Sequence, residues 1–145
     1  MHLSMWTYPW DIQDQGIAAL AADLSGRAGL NTVSLATSYH AGRFLQPRSP
    51  EQKAYFPEDG TVYFQPDETL WQGKTIRPLV AQNVTDRGDM LEALTRARAT
   101  TGLAVSCWTV CLHNTRLGML HPDHVTRNAF GNANYYNLCP SSPAA

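Results

Sequence analysis

One short pattern occurs twice in this chain and limits its fold more than any other feature. A stretch with helical spacing of apolar residues ends in a glycine, an apolar segment of strand character follows, and a histidine closes it. The interval is 11 residues from Gly29 to His40 and 11 residues from Gly102 to His113. Alternation of helix and strand in this order predicts parallel strands joined by helical crossovers. It also predicts that His40 and His113 stand at the C-terminal ends of neighbouring strands, where sites form in open sheets and barrels alike.

The remaining segments extend the pattern. His2 to Tyr8 reads as a first strand, ended by Pro9. Asp14 offers an N-cap for a helix whose stripe is Ile17, Leu20, Ala21, Leu24 and Ala28, closed by Gly29. Leu30 to Thr37 is the second strand. Asp86, reinforced by Asp89, is expected to cap a second helix carrying Met90, Leu91, Leu94 and Ala97, with Glu92 and Arg96 paired on its outer side. Leu103 to Leu112 is the third strand; it places Cys107 and Cys111 on one face as buried thiols. Between the second strand and second helix, residues 41–85 form a long inserted loop. Its prolines (Pro47, Pro50, Pro57, Pro66 and Pro78) exclude a long helix. Thr61 to Phe64, following the Asp59-Gly60 turn signal, is expected to form a hairpin or flap, and the aromatic residues of this loop argue for order. Ser142-Pro143-Ala144-Ala145 reads as the first turn of another helix.

The fold expected is therefore α/β: residues 1–145 as the N-terminal portion of a single (β/α)8 TIM barrel, roughly its first three β/α units. A full barrel takes about 250 residues. Charged residues are 16% of the chain, below the roughly 25% of ordinary domains, which fits elements covered on both faces or elements whose covering is missing. An incomplete barrel has open edges, so the rest of a barrel or a homo-oligomer is expected to cover them. A formal net charge of −1 leaves no basic footprint for nucleic acid and no polybasic patch for a membrane. No signal-peptide pattern opens the chain, so a cytoplasmic location is the expectation. Three cysteines without framework spacing argue against a disulfide scaffold. No phosphate-binding glycine loop, dinucleotide fingerprint, G-x-S-x-G elbow or H-E-x-x-H is present, and no cofactor or metal is expected.

Four stretches carry a family resemblance: Trp10-Asp11, Gly29-Leu30-Asn31-Thr32-Val33, Gly60-Thr61-Val62-Tyr63-Phe64, and Trp108 through His113-Asn114. Together they resemble the N-terminal part of uncharacterised glycoside-hydrolase-like TIM-barrel proteins. The resemblance implies a sugar-binding cleft at the top of a barrel. It also implies an acid and base on strands four onward, so no catalytic residue is assigned within the chain.

The candidate substrate-binding residues are Trp10, Asp11, Tyr39, His40, Trp108, His113 and Asn114. Neutral histidines at strand ends can orient sugar hydroxyls or simply bond to backbone. Asn114 can pair with a hydroxyl or cap the following turn. Tyr39, Trp10 and Trp108 can stack on sugar rings or pack in the core, with Trp6 assigned to the core. Asp11 can bind a hydroxyl or cap a helix. A glycosidase needs two carboxylates, about 5–5.5 Å apart for retention and about 6.5–9.5 Å for inversion, and Asp11 has no evident partner. His121 and His124, separated by Pro122, read as solvated loop. Asn128, Asn132, Asn134 and Asn137 read as turn formers, and Arg43 and Arg116 as surface groups. The rival readings are a non-catalytic carbohydrate-binding or self-assembling α/β module, and a metal-dependent barrel enzyme with His40 and His113 as ligands.

Overall fold

The computed structural model describes residues 1–47 and 49–144. In chain order the elements are β1 (Ser4–Thr7), α1 (Pro9–Gln15), α2 (Ile17–Ala21), β2 (Thr32–Ala36), β3 (Ser38–Tyr39), β4 (Phe44–Leu45), β5 (Ala54–Tyr55), β6 (Thr61–Val62), β7 (Leu79–Val80), α3 (Gln82–Arg87), α4 (Met90–Thr101), β8 (Ala104–Trp108), α5 (Thr115–Leu120), β9 (Val125–Arg127) and β10 (Ala133–Leu138). The architecture is mixed α/β with small sheets.

The principal sheet is parallel throughout, in the order β1-β2-β8. Its central strand alternates apolar and small polar residues, and all five are buried. Side chains on a strand point alternately to opposite faces, so Val33 and Leu35 share one side. There they pack with Ile12 of α1, Leu20 of α2, Leu24, Met90 and Leu94 of α4, and Leu103. Burying each such side chain stabilises the fold by about 1.5–3 kcal/mol. The helices cover this face alone. On the other face Thr32, Ser34 and Ala36 are flanked by Trp6, in register with Ser34, and Trp108, in register with Ala36.

Each helical connection is made of two helices hinged at a glycine. Gly16 (φ 85°) separates α1 from α2, and Gly88 (φ 88°) separates α3 from α4. Both φ values lie where a side chain on the α-carbon would be strained. This arrangement corrects both expected N-caps. Asp14 lies inside α1, which begins with Pro9, and Asp86 lies inside α3. The cap of α4 is Asp89, whose carboxylate accepts from the Glu92 N–H. The Glu92–Arg96 pair forms on the exposed side as expected, at 2.5 Å. Past α2 a π-helical turn, Ala22–Arg27, ends with the Leu30 N–H donating to the Leu24 carbonyl, the closure a left-handed Gly29 permits. Gly102 ends α4 in the same left-handed conformation.

The segment expected as a long loop is ordered into short pieces. The hairpin is β4-β5, not residues 61–64. β6 instead lies between β3, antiparallel, and β7, parallel. Three aromatic residues of this region, Phe44, Tyr55 and Tyr63, join a second core, in which Trp10 and Tyr63 are buried with Ala81 and Val84 against Tyr8, Tyr39, Phe44 and Tyr55. The loop is therefore held by the aromatic face of α1.

Three further expectations are corrected. β8 stops at Trp108, so Cys111 lies beyond it, and both Cys107 and Cys111 are exposed because β8 is an edge strand. The region after β8 is not wholly loop: α5 packs on the antiparallel β9-β10 pair, with Gly118 so close to the Tyr135 carbonyl that a methyl group would collide with it. Asn128 does form the intervening turn, accepting from the N–H groups of Phe130 and Asn132. Residues 142–144 form a turn rather than a helix start, with Ser142 bonded to His124 at 2.7 Å; Ala145 lies outside the described residues. No described helix is long and apolar enough to cross a membrane.

Asp89 also accepts from the Gln65 N–H at 2.7 Å, tying the inserted segment to α4. Asp89→Ala therefore removes a cap and a tether together and should cost about 2 kcal/mol in urea unfolding. Asp86→Ala loses only an exposed contact with Gln82 and should stay within about 0.5 kcal/mol of the parent.

Candidate functional site

Beyond their last paired residues, β2 and β8 are held together by one further backbone bond and then by side chains. The Thr37 N–H donates to the Trp108 carbonyl, and the Thr37 and Thr109 hydroxyls lie 2.7 Å apart. The Ser38 hydroxyl accepts from the Val110 N–H and donates to the Val110 carbonyl. These bonds replace a backbone ladder where β3 turns away to meet β6. Buried polar groups need such partners, and the result is a fixed path for Tyr39-His40 alongside the end of β8.

On the other side, residues 112–114 attach to β10. The Leu138 N–H donates to the Leu112 carbonyl, the Asn114 N–H to the Tyr136 carbonyl, and His113 bridges to Asn137. The two echoed histidines thereby meet, with ring centroids 5.0 Å apart. The His40 ring stacks on Tyr39 at 4.5 Å, and Tyr39 lies 5.8 Å from Trp108. Trp108 in turn stacks on Trp6 at 5.5 Å. An unbroken row of rings, Trp6–Trp108–Tyr39–His40–His113, thus runs along the uncovered face of the sheet and over the C-terminal strand ends. Trp6 is 68% exposed and His113 is also exposed.

The structure gathers four of the seven expected residues in this row: Tyr39, His40, Trp108 and His113. The other three are placed differently. Trp10 is fully buried, stacked between Tyr8 and Tyr55, so its faces are filled by protein. Asn114 is the N-cap of α5, accepting from Leu117 N–H and donating to the Gly60 carbonyl at 3.0 Å. Asp11 lies across the β1 edge, in a cavity of about 560 Å³ that it shares with Trp6, Gln46 and Asp14. Burial raises its carboxyl above the usual value, the Gln46 amide partly offsets this, and the Asp14 charge adds to the rise. Trp6, assigned to the core from the sequence, is the ring that sequence reasoning missed. Its edge-strand position and its register with small Ser34 leave it uncovered.

A second cavity, of about 850 Å³, opens beside the end of β8. The segment 60–78 supplies much of its wall, including Phe64, Trp71, Lys74 and Arg77, none of which carries a motif visible in the sequence. His121 and His124 have ring centroids 6.5 Å apart. Among the described residues no group of three or more His, Cys, Asp and Glu side chains is arranged to hold a metal ion. Arg116 approaches Glu58 at 3.9 Å, and Arg43 is exposed. No protein-family model, curated protein or solved structure matches this chain.

Gly60 has φ 65°, and a Cβ there would collide with Asn114 Oδ1. Gly60→Ala should therefore destabilise the chain by about 3 kcal/mol in urea unfolding, while Asn114→Ala, which loses a cap and a bond, should cost about 2 kcal/mol. At alkaline pH the buried tyrosines decide stability. Burial first, then the Tyr39 hydroxyl and the Asp11 charge, push Tyr8 from an ordinary 10.0 to about 12. Tyr55 and Tyr63 are raised too, chiefly by burial. The unfolded chain thus releases these protons before the folded chain does. Their stabilising contribution is complete below the ordinary value and is lost as pH climbs through the raised one. Urea midpoints should fall between pH 10 and 12, less steeply in Tyr8→Phe.

Proposed function

We propose that this chain forms one wall of a carbohydrate-binding cleft, as the first units of a glycoside-hydrolase-like (β/α) barrel. The observation that carries the reading is the row of rings from Trp6 to His113, exposed at its two ends and half-buried at Trp108, Tyr39 and His40. The faces of Trp6 and Trp108 offer flat apolar surface of the kind on which the C–H face of a sugar packs. At the far end of the row, the half-buried His40 donates from Nδ1 to the Ala41 carbonyl at 2.7 Å and leaves Nε2 for a sugar hydroxyl, and the exposed His113 carries ring nitrogens that donate to or accept from hydroxyls. Asp11, at the other end beside Trp6, is a further hydroxyl acceptor.

The barrel reading rests on three parallel strands with helices on one face only, and on the repeated helix–glycine–helix–glycine–strand order. In a closed barrel the helix-free face turns inward and the open edges of β1 and β8 are paired. On this reading those edges are covered by further barrel units or by a second copy. The row contains no carboxylate, and of the acids in the cavity beside Trp6 (Asp11, Asp14 and Asp23) Asp11 alone is assigned to binding, so no acid and base for glycoside cleavage are assigned within the chain. A non-catalytic sugar-binding module using the same face is the second reading, favoured by the same row of rings.

Native gels containing dissolved glucans, xylan or mannan test this directly. The purified chain should be retarded by at least one polysaccharide and should release no reducing ends. Trp6→Ala and Trp108→Ala should each weaken retardation about tenfold, or about 1.4 kcal/mol, with unchanged circular dichroism. Retardation by none of the polymers, or retardation untouched by both substitutions, contradicts the reading.

A further inference from the structure

The 850 Å³ cavity beside β8 meets the row of rings at Tyr39 and His113, and the rest of its wall has a chemistry of its own. Its wall is largely apolar, with Phe64, Trp71, Ile76 and Leu117 among its residues, and its volume is near the upper end of the range for small-molecule sites, roughly 300–1,000 Å³. Its charged groups have one sign. These are Lys74 and Arg77, and no aspartate or glutamate is among the lining residues.

Among the carboxylates close in sequence to the lining residues, Glu68 and Asp123 are exposed, Asp67 accepts from the Thr69 N–H and hydroxyl, and Glu58 and Asp59, just before Gly60, are engaged elsewhere. Glu58 accepts from the Gln82 N–H and faces Arg116, and Asp59 accepts from the Ala41 N–H. The Lys74 and Arg77 side chains are exposed, and the Arg77 guanidinium donates only a long 3.4 Å bond to the Lys74 carbonyl through Nε. The Arg77 terminal nitrogens thus leave a planar fork suited to a carboxylate, with Lys74 as a second, point-like charge.

We infer that this cavity binds a small organic anion with a flat apolar body, the body against Phe64 and Trp71 and the anionic group toward Lys74 and Arg77. This site shares Tyr39 and His113 with the row of rings but uses neither Trp6 nor Trp108, so substitutions at Trp6 and Trp108 test the carbohydrate reading and those at Arg77, Lys74 and Trp71 test this one.

The test uses the full chain and two ligands of matched shape, naphthalene-2-carboxylate and the neutral naphthalene-2-carboxamide, titrated calorimetrically in low salt. The carboxylate should bind at least tenfold more tightly than the amide. Arg77→Gln and Lys74→Gln should each weaken the carboxylate severalfold and leave the amide unchanged, and Trp71→Ala should weaken both ligands. Both substituted cations are surface residues, so folding is retained. Equal affinities for the two ligands, carboxylate affinity unmoved by both cation substitutions, or binding of neither ligand would overturn the assignment; the last result would make the cavity merely an uncovered flank of the sheet.

Discussion

β2 is hydrogen-bonded along both edges, to β1 on one side and β8 on the other, and its five residues are all buried. Everything else in the molecule takes its position from that strand. Val33 and Leu35 draw both helical connections onto one face, so α1, α2 and α4 share a single core. The opposite face carries only Thr32, Ser34 and Ala36 at its centre. These side chains are too small to cover their neighbours, and Trp6 and Trp108 close over them and stack on one another. The parallel register carries this relation to the strand ends, where Thr37 and Ser38 hold the departing chain against Thr109 and Val110 and so deliver His40 to His113.

The aromatic residues divide between two tasks because of where the chain leaves the sheet. Trp10 stands at the start of α1, directly after β1, and its ring is enclosed by Tyr8, Tyr55, Phe44 and Tyr63. It orders the inserted segment, whose short strands have little backbone pairing of their own. Trp6, four residues earlier, stays in the sheet and faces out. Two tryptophans close in sequence thus lie on opposite sides of the burial boundary: one nucleates the aromatic core and the other provides open ring surface.

Much of this was legible in the sequence. The repeated glycine–strand–histidine interval predicted parallel neighbours with His40 and His113 near adjacent strand ends; their ring contact was not legible, because both lie beyond the paired residues of β2 and β8. The two failed caps share one physical cause. Asp14 stands two residues before Gly16, and Asp86 two residues before Gly88. Each belongs to the end of a short first helix that breaks at a strained-φ glycine, so local capping preference pointed one helix too far along. The repeat is longer than the spacing suggested, since it includes that first helix. The burial of Trp10 and exposure of Trp6 were not legible, because they depend on an edge strand and on contacts from residues 44 to 63, distant in the chain. The wall of the larger cavity was hidden for the same reason, as Phe64, Trp71, Lys74 and Arg77 gather through loop geometry rather than through any period.

The row of rings joins the fold to its proposed use, and proton NMR of the full chain observes it directly. Cross-relaxation peaks should connect the indole protons of Trp6 with those of Trp108, and the ring protons of His40 with those of His113. Both sets require β1, β2 and β8 in the register described and His40 delivered to the end of β8. If the tryptophan pair shows no such peaks while Trp10 shows its contacts to Tyr55, the aromatic core exists without the open face, and both the sheet register and the binding surface built on it are wrong.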